Sequence, residues 1–360
     1  FYPFKILFFF LEAAERRIKM KYPEIEDLIA RHSFDIVGIA RAQSFPSQEK
    51  ILDWLDKGYH GDMLYLEQNL SKRLSPASLL PGAKSMIIVG INYFQPLPVL
   101  EKDSGRIARY AWGRDYHKVL GSRLKKLAAD FAKRFPEERF RWSVDATPLS
   151  ERSYALMAGF GFIGKNNLLI HRTYGSWFFL GEILTTLDLP AEQGVLPPEG
   201  CSQCTKCMKA CPTQALVQPF EMNATRCISY LTIENRGNIP EKLREKLGDR
   251  IFGCDLCQEV CPQNQKVPTT KENDFLHHKA GPSQKLESIL SIETQEEFQK
   301  KYAGTPLHRS QHYGLIRNAC VVAANLKVFS LVPLLQKRSK DSHPIIAHHA
   351  TWALQKLTET

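Results

Sequence analysis

The 360-residue sequence predicts a mixed α/β (α+β) domain, a cysteine-rich module after it, and a helical tail. Three observations carry this reading. Helix-like and strand-like segments alternate from about residue 20 to 195. Eight of the nine cysteines fall between about residues 196 and 265. Beyond Asn264 the apolar residues recur at helical spacing alone. The expected organisation is an extension outside the core at 1–19, an α/β domain at 20–195, a cysteine module at 196–265 and a helical domain at 266–360.

Phe1 to Leu11 is aromatic and apolar, but far shorter than the ~20 residues a membrane span needs. It also lacks the basic segment and small-residue cleavage site of a secretory signal. No membrane association is expected, and a cytoplasmic location follows. Ile25 to His32 is amphipathic. Ile36-Val37-Gly38-Ile39 is a short apolar strand, and Lys84 to Gly90 a stronger one, opened by the turn Leu80-Pro81-Gly82. Tyr116 to Phe135 has helical periodicity. Arg139 to Val144 alternates like a strand and ends at Asp145-Ala146-Thr147-Pro148. There Thr147 has the character of an N-cap and Pro148 of a first helical residue. That helix should stop at Gly159. Trp177 to Leu184 is another strand. Pro197-Pro198 marks the entrance to the cysteine module.

The tail should hold helices at Leu286 to Leu290, Glu296 to Tyr302, Leu315 to Leu326, Leu331 to Gln336 and Ile345 to Leu357. Ile316-Arg317-Asn318-Ala319 and Ala347-His348-His349-Ala350 are alike, which suggests a short HEAT-like pair of helical repeats. A plain helical tail is the alternative. Hydrophobic content of 43% and charged content of 24% are ordinary for a globular protein. Net charge of +10 favours a polyanionic partner, nucleic acid first.

The cysteines are the most specific signal. Cys201, Cys204, Cys207 and Cys211 with Pro212 have the C-x2-C-x2-C-x3-C-P spacing of bacterial ferredoxins. Cys254, Cys257 and Cys261 with Pro262 repeat that ending, with the first cysteine displaced to Cys227. Eight thiolates suffice for two 4Fe–4S clusters. Crossed ligation gives Cys201, Cys204, Cys207 and Cys261 to one, and Cys211, Cys227, Cys254 and Cys257 to the other. Two zinc ions or four disulfides are the alternatives. The consecutive two-residue gaps and the Cys-Pro endings favour iron–sulfur over both. Cys320, within Ala319 to Ala323, reads as a small buried hydrophobe.

Several stretches then carry a family resemblance. They are Glu67 to Pro76, Ala111-Trp112-Gly113-Arg114-Asp115-Tyr116-His117, and Val144-Asp145 through Ser150-Glu151-Arg152 to Gly161-Phe162-Ile163-Gly164-Lys165-Asn166. Gly175-Ser176-Trp177 to Gly181-Glu182, Arg226 to Thr232 and Gly253-Cys254-Asp255-Leu256-Cys257 continue it. From about residue 20 to its end the chain closely resembles the epoxyqueuosine reductases. The resemblance implies an oxidoreductase that reduces epoxyqueuosine to queuosine at the wobble position of tRNA with a GUN anticodon. It implies two 4Fe–4S clusters feeding electrons to cobalamin bound base-off, without a protein histidine on cobalt. It also implies a monomer served by a separate, unidentified electron donor.

By resemblance Asp145 is the catalytic proton donor. A physical case stands beside this. Asp145 ends a predicted strand just before a helix, where open α/β sheets place ligands. Removing an epoxide oxygen needs an acid for the departing alkoxide. A free aspartate with pKa ~3.9 is a poor donor at neutral pH, so burial beside the corrin is expected to raise it. The alternative is that Asp145 only caps the helix at Pro148. Arg73, Arg152, Gly164, Lys165 and Asn166 fall at family positions for corrin, phosphate-tail or substrate contact. Ala108, Leu169 and Leu180 do so through backbone or packing, and Ser229 and Asp255 through their place beside cluster cysteines. Arg309 and Arg317 on the tail are the candidate RNA contacts. Lys125-Lys126, Lys133-Arg134 and Lys337-Arg338 with Lys340 read as solvated faces. The pairs His277-His278 and His348-His349 read as packing or surface residues. Two other functions compete: a reductive dehalogenase-like enzyme acting on a small molecule, and a non-enzymatic iron–sulfur electron carrier or RNA-binding protein.

Overall fold

The computed structural model describes residues 23–45, 48–145, 147–191 and 200–359. The extension expected at 1–19 and the Pro197-Pro198 entrance lie outside the described residues.

Four strands form the central sheet: β1 (Ile36–Arg41), β2 (Ser85–Asn92), β4 (Phe140–Ser143) and β7 (Phe178–Thr185). Between them in the chain come β3 (Ser104–Ile107), β5 (Phe162–Ile163) and β6 (Leu169–Ile170). The sheet order is β1-β2-β7-β4, and every neighbouring pair is antiparallel. This corrects the open α/β reading. The rule that ligands sit beyond parallel strand ends does not apply, so Asp145 owes its position to the β4 turn instead.

Both sheet faces are covered, which is why β2 reads as one continuous apolar run and is buried at all eight positions. Ile87, Val89 and Ile91 point to the Tyr116–Arg134 helix, where Val119, Leu120, Leu124, Leu127 and Phe131 are buried. Met86 and Ile88 point the other way, onto Tyr154, Ala155 and Phe160. The Tyr116–Arg134 helix starts where the sequence predicts. Asp115 caps it by accepting from His117 N at 3.0 Å, a cap worth about 1 kcal/mol. It crosses β7 at Gly181, where a Cβ would stand 2.6 Å from Leu124 Cδ1. The following helix departs from expectation. It runs Glu151–Met157 rather than from Pro148, because Leu149 N bonds Thr147 O and closes a separate turn first. Its stop at Gly159, with φ of +80°, is as predicted.

The three sequence regions are interleaved. β3 pairs in parallel with β10 (Arg250–Phe252) of the cysteine region and antiparallel with β11 (Ser283–Lys285) of the tail. A hairpin of β8 (Leu216–Gln218) and β9 (Glu221–Met222) lies within the cysteine region. Gly253 follows β10 at a φ of +71°, and a Cβ there would lie 2.5 Å from Ala108 Cβ. Arg109, 7% exposed, ties the regions together. It bonds Asp255 and Glu259 and lies over the Trp177 ring.

The tail holds the helices Leu286–Leu290, Gln295–Lys301, Gln311–Asn325, Val332–Arg338 and Pro344–Thr358. Ala319 and Ala350 are fully buried on two helices that pack against each other, and Cys320 is equally buried. His349 is fully buried and accepts from Ile239 N.

Arg317 is corrected as an RNA contact. It is 1% exposed and donates to the carbonyls of Leu231, Asn235 and Gly237 and to Asn318 Oδ1. Burial lowers its pKa to about 10. Its guanidinium pins the segment after Cys227 to the tail. Arg317→Ala should cost ~3–5 kcal/mol by leaving buried carbonyls unpaired. A urea midpoint equal to the parent's would refute that role.

Candidate functional site

Asp145 sits in the turn after β4 in the left-handed region, with φ of +51°. For a residue other than glycine that conformation costs roughly 1–3 kcal/mol and persists only when its surroundings hold it. Tyr116 Oη donates to Asp145 Oδ2 at 2.5 Å, and His117 Nε2 lies 3.6 Å from the same oxygen. Tyr116 is itself fixed by stacking on Phe179 of β7, with centroids 4.3 Å apart. His117 Nδ1 is held by Asp115 at 2.8 Å. Asp115, Tyr116 and His117 thus come from one helix start and meet Asp145 from one strand end.

The upward shift expected at Asp145 concerns burial beside the corrin, and the groups of this chain by themselves act the other way. Hydrogen bonding from His117, aided by Tyr116, outweighs burial and holds its carboxyl below the usual range. His117 moves the opposite way. Burial would lower it, but its bonds to Asp115 and Asp145 raise it to about 9. The pair therefore keeps one proton at neutral pH, and it resides on the imidazole. The side chain of Asp145 is 60% exposed, so water still reaches it and favours the charged form.

Two carboxyls lie behind the turn. The backbone N–H of Asp145 donates to Glu151 Oε1. Glu182, 1% exposed, faces Ser143 across the β4–β7 ladder and accepts from its hydroxyl. Glu151 and Glu182 lie near enough to act on each other's titration. Burial first, then the mutual contact and Asp145, push Glu151 well above the usual range. Burial raises Glu182 to about 8. Two buried carboxyls in contact cannot both ionise cheaply, so they share a proton.

The expected cofactor positions fall into two sets. Arg73 and Leu180 are half-buried, and Asp145 and Glu151 are among the charges near Arg73. Arg73 Nε is buried with no hydrogen-bond partner among the described residues. Arg152 lies in the helix turn after Asp145 and donates to Asn167 O. Lys165 is committed elsewhere. Its Nζ donates to Ser202 O at 2.6 Å and Cys204 O at 3.0 Å, and its N–H to Cys201 Sγ at 3.3 Å. Asn166 Nδ2 donates to Cys257 O at 3.4 Å, Gly164 packs on Ile170, and Leu169 is buried in β6. These residues tie the β5–β6 hairpin to the cysteine loops. Ala108 N donates to Phe252 O beside β10. Ser229 hydrogen-bonds the Cys227 thiol. The Asp255 carboxylate accepts from Arg109 N at 2.8 Å and from its guanidinium at 3.2 Å, and burial raises it to about 6.

All nine cysteines are free thiols. Like-charge proximity sorts eight of them. Cys207 is raised by burial and by Cys201, Cys261 and Cys204, and Cys261 by burial and by Cys201 and Cys204. Cys227 neighbours Cys211, Cys254 neighbours Cys227, and Cys257 neighbours both Cys227 and Cys254. These neighbours are compatible with the crossed pattern. Cys257 also senses Cys207, so the groups adjoin. Burial pushes the Cys254 thiol up to about 12. Such thiols ionise readily only beside strong positive charge, which the iron of a cluster supplies.

Comparison with known proteins fits this geometry. A family model described as "Epoxyqueuosine reductase QueG, DUF1730" matches residues 73–146, and a "4Fe-4S double cluster binding domain" model matches residues 200–264. The chain is 39% identical to the epoxyqueuosine reductase of Escherichia coli (strain K12) over 331 residues, 91% of this chain and 86% of that protein. This chain belongs to the epoxyqueuosine reductase family. The Pseudomonas aeruginosa epoxyqueuosine reductase is 37% identical over 93% of this chain and 94% of its own. A crystal structure of epoxyqueuosine reductase with an epoxyqueuosine-modified tRNA-Tyr stem loop superposes with a TM-score of 0.85 at 34% identity, covering 93% and 90% of the chains. The Bacillus subtilis epoxyqueuosine reductase, with its aspartate-bearing catalytic loop swung out of the active site, gives 0.86 at 32% identity over 93% and 91%.

Within this epoxyqueuosine reductase fold, Arg309 stands apart from Arg317. It is 53% exposed at the side chain, forks onto Glu234 at 2.8 and 3.1 Å, and lies over the exposed Tyr65 ring at 5.6 Å. It is also among the charges that hold Asp145 ionised.

Proposed function

We propose that this chain reduces epoxyqueuosine to queuosine in tRNA with a GUN anticodon, with Asp145 as proton donor. The observation that carries this reading is Asp145 itself, at the end of the 73–146 family match and bound to Tyr116 and His117. The reaction adds two electrons and two protons, breaks both epoxide C–O bonds, forms an alkene and releases water. Cys201, Cys204, Cys207 and Cys261, and Cys211, Cys227, Cys254 and Cys257, would hold two 4Fe–4S clusters, which with cobalamin would supply the electrons of a separate donor to the substrate. The cysteine groups fit the clusters. The unpartnered Arg73 Nε fits cobalamin, which we read as base-off with no histidine of this chain on cobalt.

Arg73 and Arg152 would supply fixed positive charge to a phosphate tail or carboxamides. Leu180 would offer an apolar contact, and Ala108, Ser229 and Asp255 would border the cofactor from the cysteine side. His117 Nε2 holds a proton 3.6 Å from Asp145 Oδ2. As substrate displaces water from Asp145, desolvation favours its neutral form. The proton then passes from His117 Nε2 to Asp145 Oδ2 and on to the departing oxygen. Arg309 and a HEAT-like tail would face the anticodon stem.

The test is direct. Protein purified without oxygen should hold cobalt and about eight irons. With a reductant it should convert epoxyqueuosine in tRNA to queuosine, read by nucleoside mass spectrometry. Metal-replete protein that leaves the nucleoside unchanged would overturn the proposal.

A further inference from the structure

Asp145 is in a backbone conformation that needs holding, and its side-chain partners do not supply the hold. Tyr116 and His117 bind the carboxylate and leave the backbone free to rotate. The atom that fixes the backbone is Glu151 Oε1, which accepts the Asp145 N–H. Glu151 opens the Glu151–Met157 helix, whose own cap position, Ser150, makes no side-chain cap bond. Its carboxyl reaches back to the turn and across to Glu182. Glu182 is buried in β7, directly paired with Ser143 of β4 and bonded to its hydroxyl. One chain of contacts therefore runs from the sheet through Glu182 and Glu151 to the Asp145 amide.

We propose that Glu151 is a positioning residue that latches the Asp145 turn into the active site, with Glu182 as the fixed post against which it is held. The inference rests on Asp145 being the proton donor and names what keeps it in place. Two carboxyls in contact make a latch only while one proton lies between them. Burial raises both groups, and Glu182 raises Glu151 further while Glu151 lowers Glu182, which places the shared proton on Glu151. The groups facing the pair are Asp145 and Ser143 at the turn and Arg73 and Arg152 flanking Glu151. In a shared-proton state Glu151 donates to Glu182 through one oxygen and accepts from Asp145 through the other. A glutamine reproduces both roles, since its amide donates through nitrogen and accepts through oxygen. An alanine reproduces neither.

The experiment compares Glu151→Ala, Glu151→Gln and the parent as holoenzymes of equal iron and cobalt content. It reads amide hydrogen exchange in peptides spanning Asp145, and steady-state turnover of epoxyqueuosine tRNA. Glu151→Ala should exchange at least about tenfold faster at the turn and lose about 10²-fold in kcat with KM for tRNA unchanged. Glu151→Gln should recover most of both. Parent-like exchange in Glu151→Ala, or a Glu151→Gln variant as impaired as Glu151→Ala, overturns the latch. If Glu151→Ala does not fold, Glu182→Leu removes the post instead and must also speed exchange at the turn. Exchange is read without any substrate, so the latch can fail while the epoxyqueuosine assignment stands, and the reverse.

Discussion

Asp145→Asn is expected to lower turnover of epoxyqueuosine about 10²–10⁴-fold while iron and cobalt contents stay at parent levels. The amide keeps the turn intact, because Tyr116 Oη can still donate to its oxygen and the backbone N–H still reaches Glu151. What it loses is the transferable proton. The pH profile offers a second reading. His117 is raised to about 9, so the proton that it shares with Asp145 is fully present below its unperturbed value of ~6.5 and is lost as pH rises through 9. Turnover should fall on that alkaline side. Asp115→Asn removes one of the bonds that raise His117, so the limb should move to lower pH. A parent-like rate in Asp145→Asn would remove it as the acid. An unmoved limb in Asp115→Asn would remove His117 as its proton source.

The fold was legible where burial is one-sided or complete along an element. β2 and the Tyr116–Arg134 helix announce themselves because their apolar residues have no alternative but the core. The direction of strand pairing was not legible, since an apolar run buried on both faces reads the same in a parallel and an antiparallel sheet. The Asp145 turn was misread for a local reason. Thr147-Pro148 carries the chemistry of a helix start, but a bond from Leu149 N to Thr147 O takes up that backbone first. Arg317 was misassigned although a signal existed. Gly314 to Ala324 is buried all round its helix, so an arginine within it must turn inward and find carbonyls. Glu182 ends one of the stretches that carry the resemblance, but a single carboxylate in the strand Phe178–Thr185 looks like a pause in an apolar pattern and shows no link to Asp145. His117 and Glu151 stood inside recognised motifs, but only their distances to Asp145 give them roles. Asp145 is named by the resemblance, and the hydrogen bonds that hold its carboxyl low depend on distances to His117 and Tyr116 that the sequence does not give.

Cys227→Ala should reduce iron from roughly eight to roughly four per chain and abolish turnover with epoxyqueuosine tRNA. Of the eight clustered cysteines Cys227 alone is far from any other in the sequence, and the structure shows what supports it. It precedes the Ile228–Ile233 helix, where Tyr230 Oη accepts from Asp62 N at 2.8 Å and Thr232 Oγ1 accepts from Gly253 N at 3.0 Å. Arg317 closes the far end through Leu231 O and Asn235 O. The segment is therefore anchored to the catalytic region, to the stretch before Cys254 and to the tail without help from its own thiol. Losing the thiol should empty one cluster and spare the fold. The other group, Cys201, Cys204, Cys207 and Cys261, keeps its full set and should retain its irons. A chain left with one cluster lacks half of its relay, so turnover should be lost. Cys320→Ala is the matched control, because Cys320 is fully buried in the tail and belongs to neither group. Full iron content in Cys227→Ala, or equal iron loss in Cys320→Ala, would separate Cys227 from the clusters. A loss of all eight irons would instead mean that the two groups assemble only together, as the Cys257 to Cys207 proximity allows.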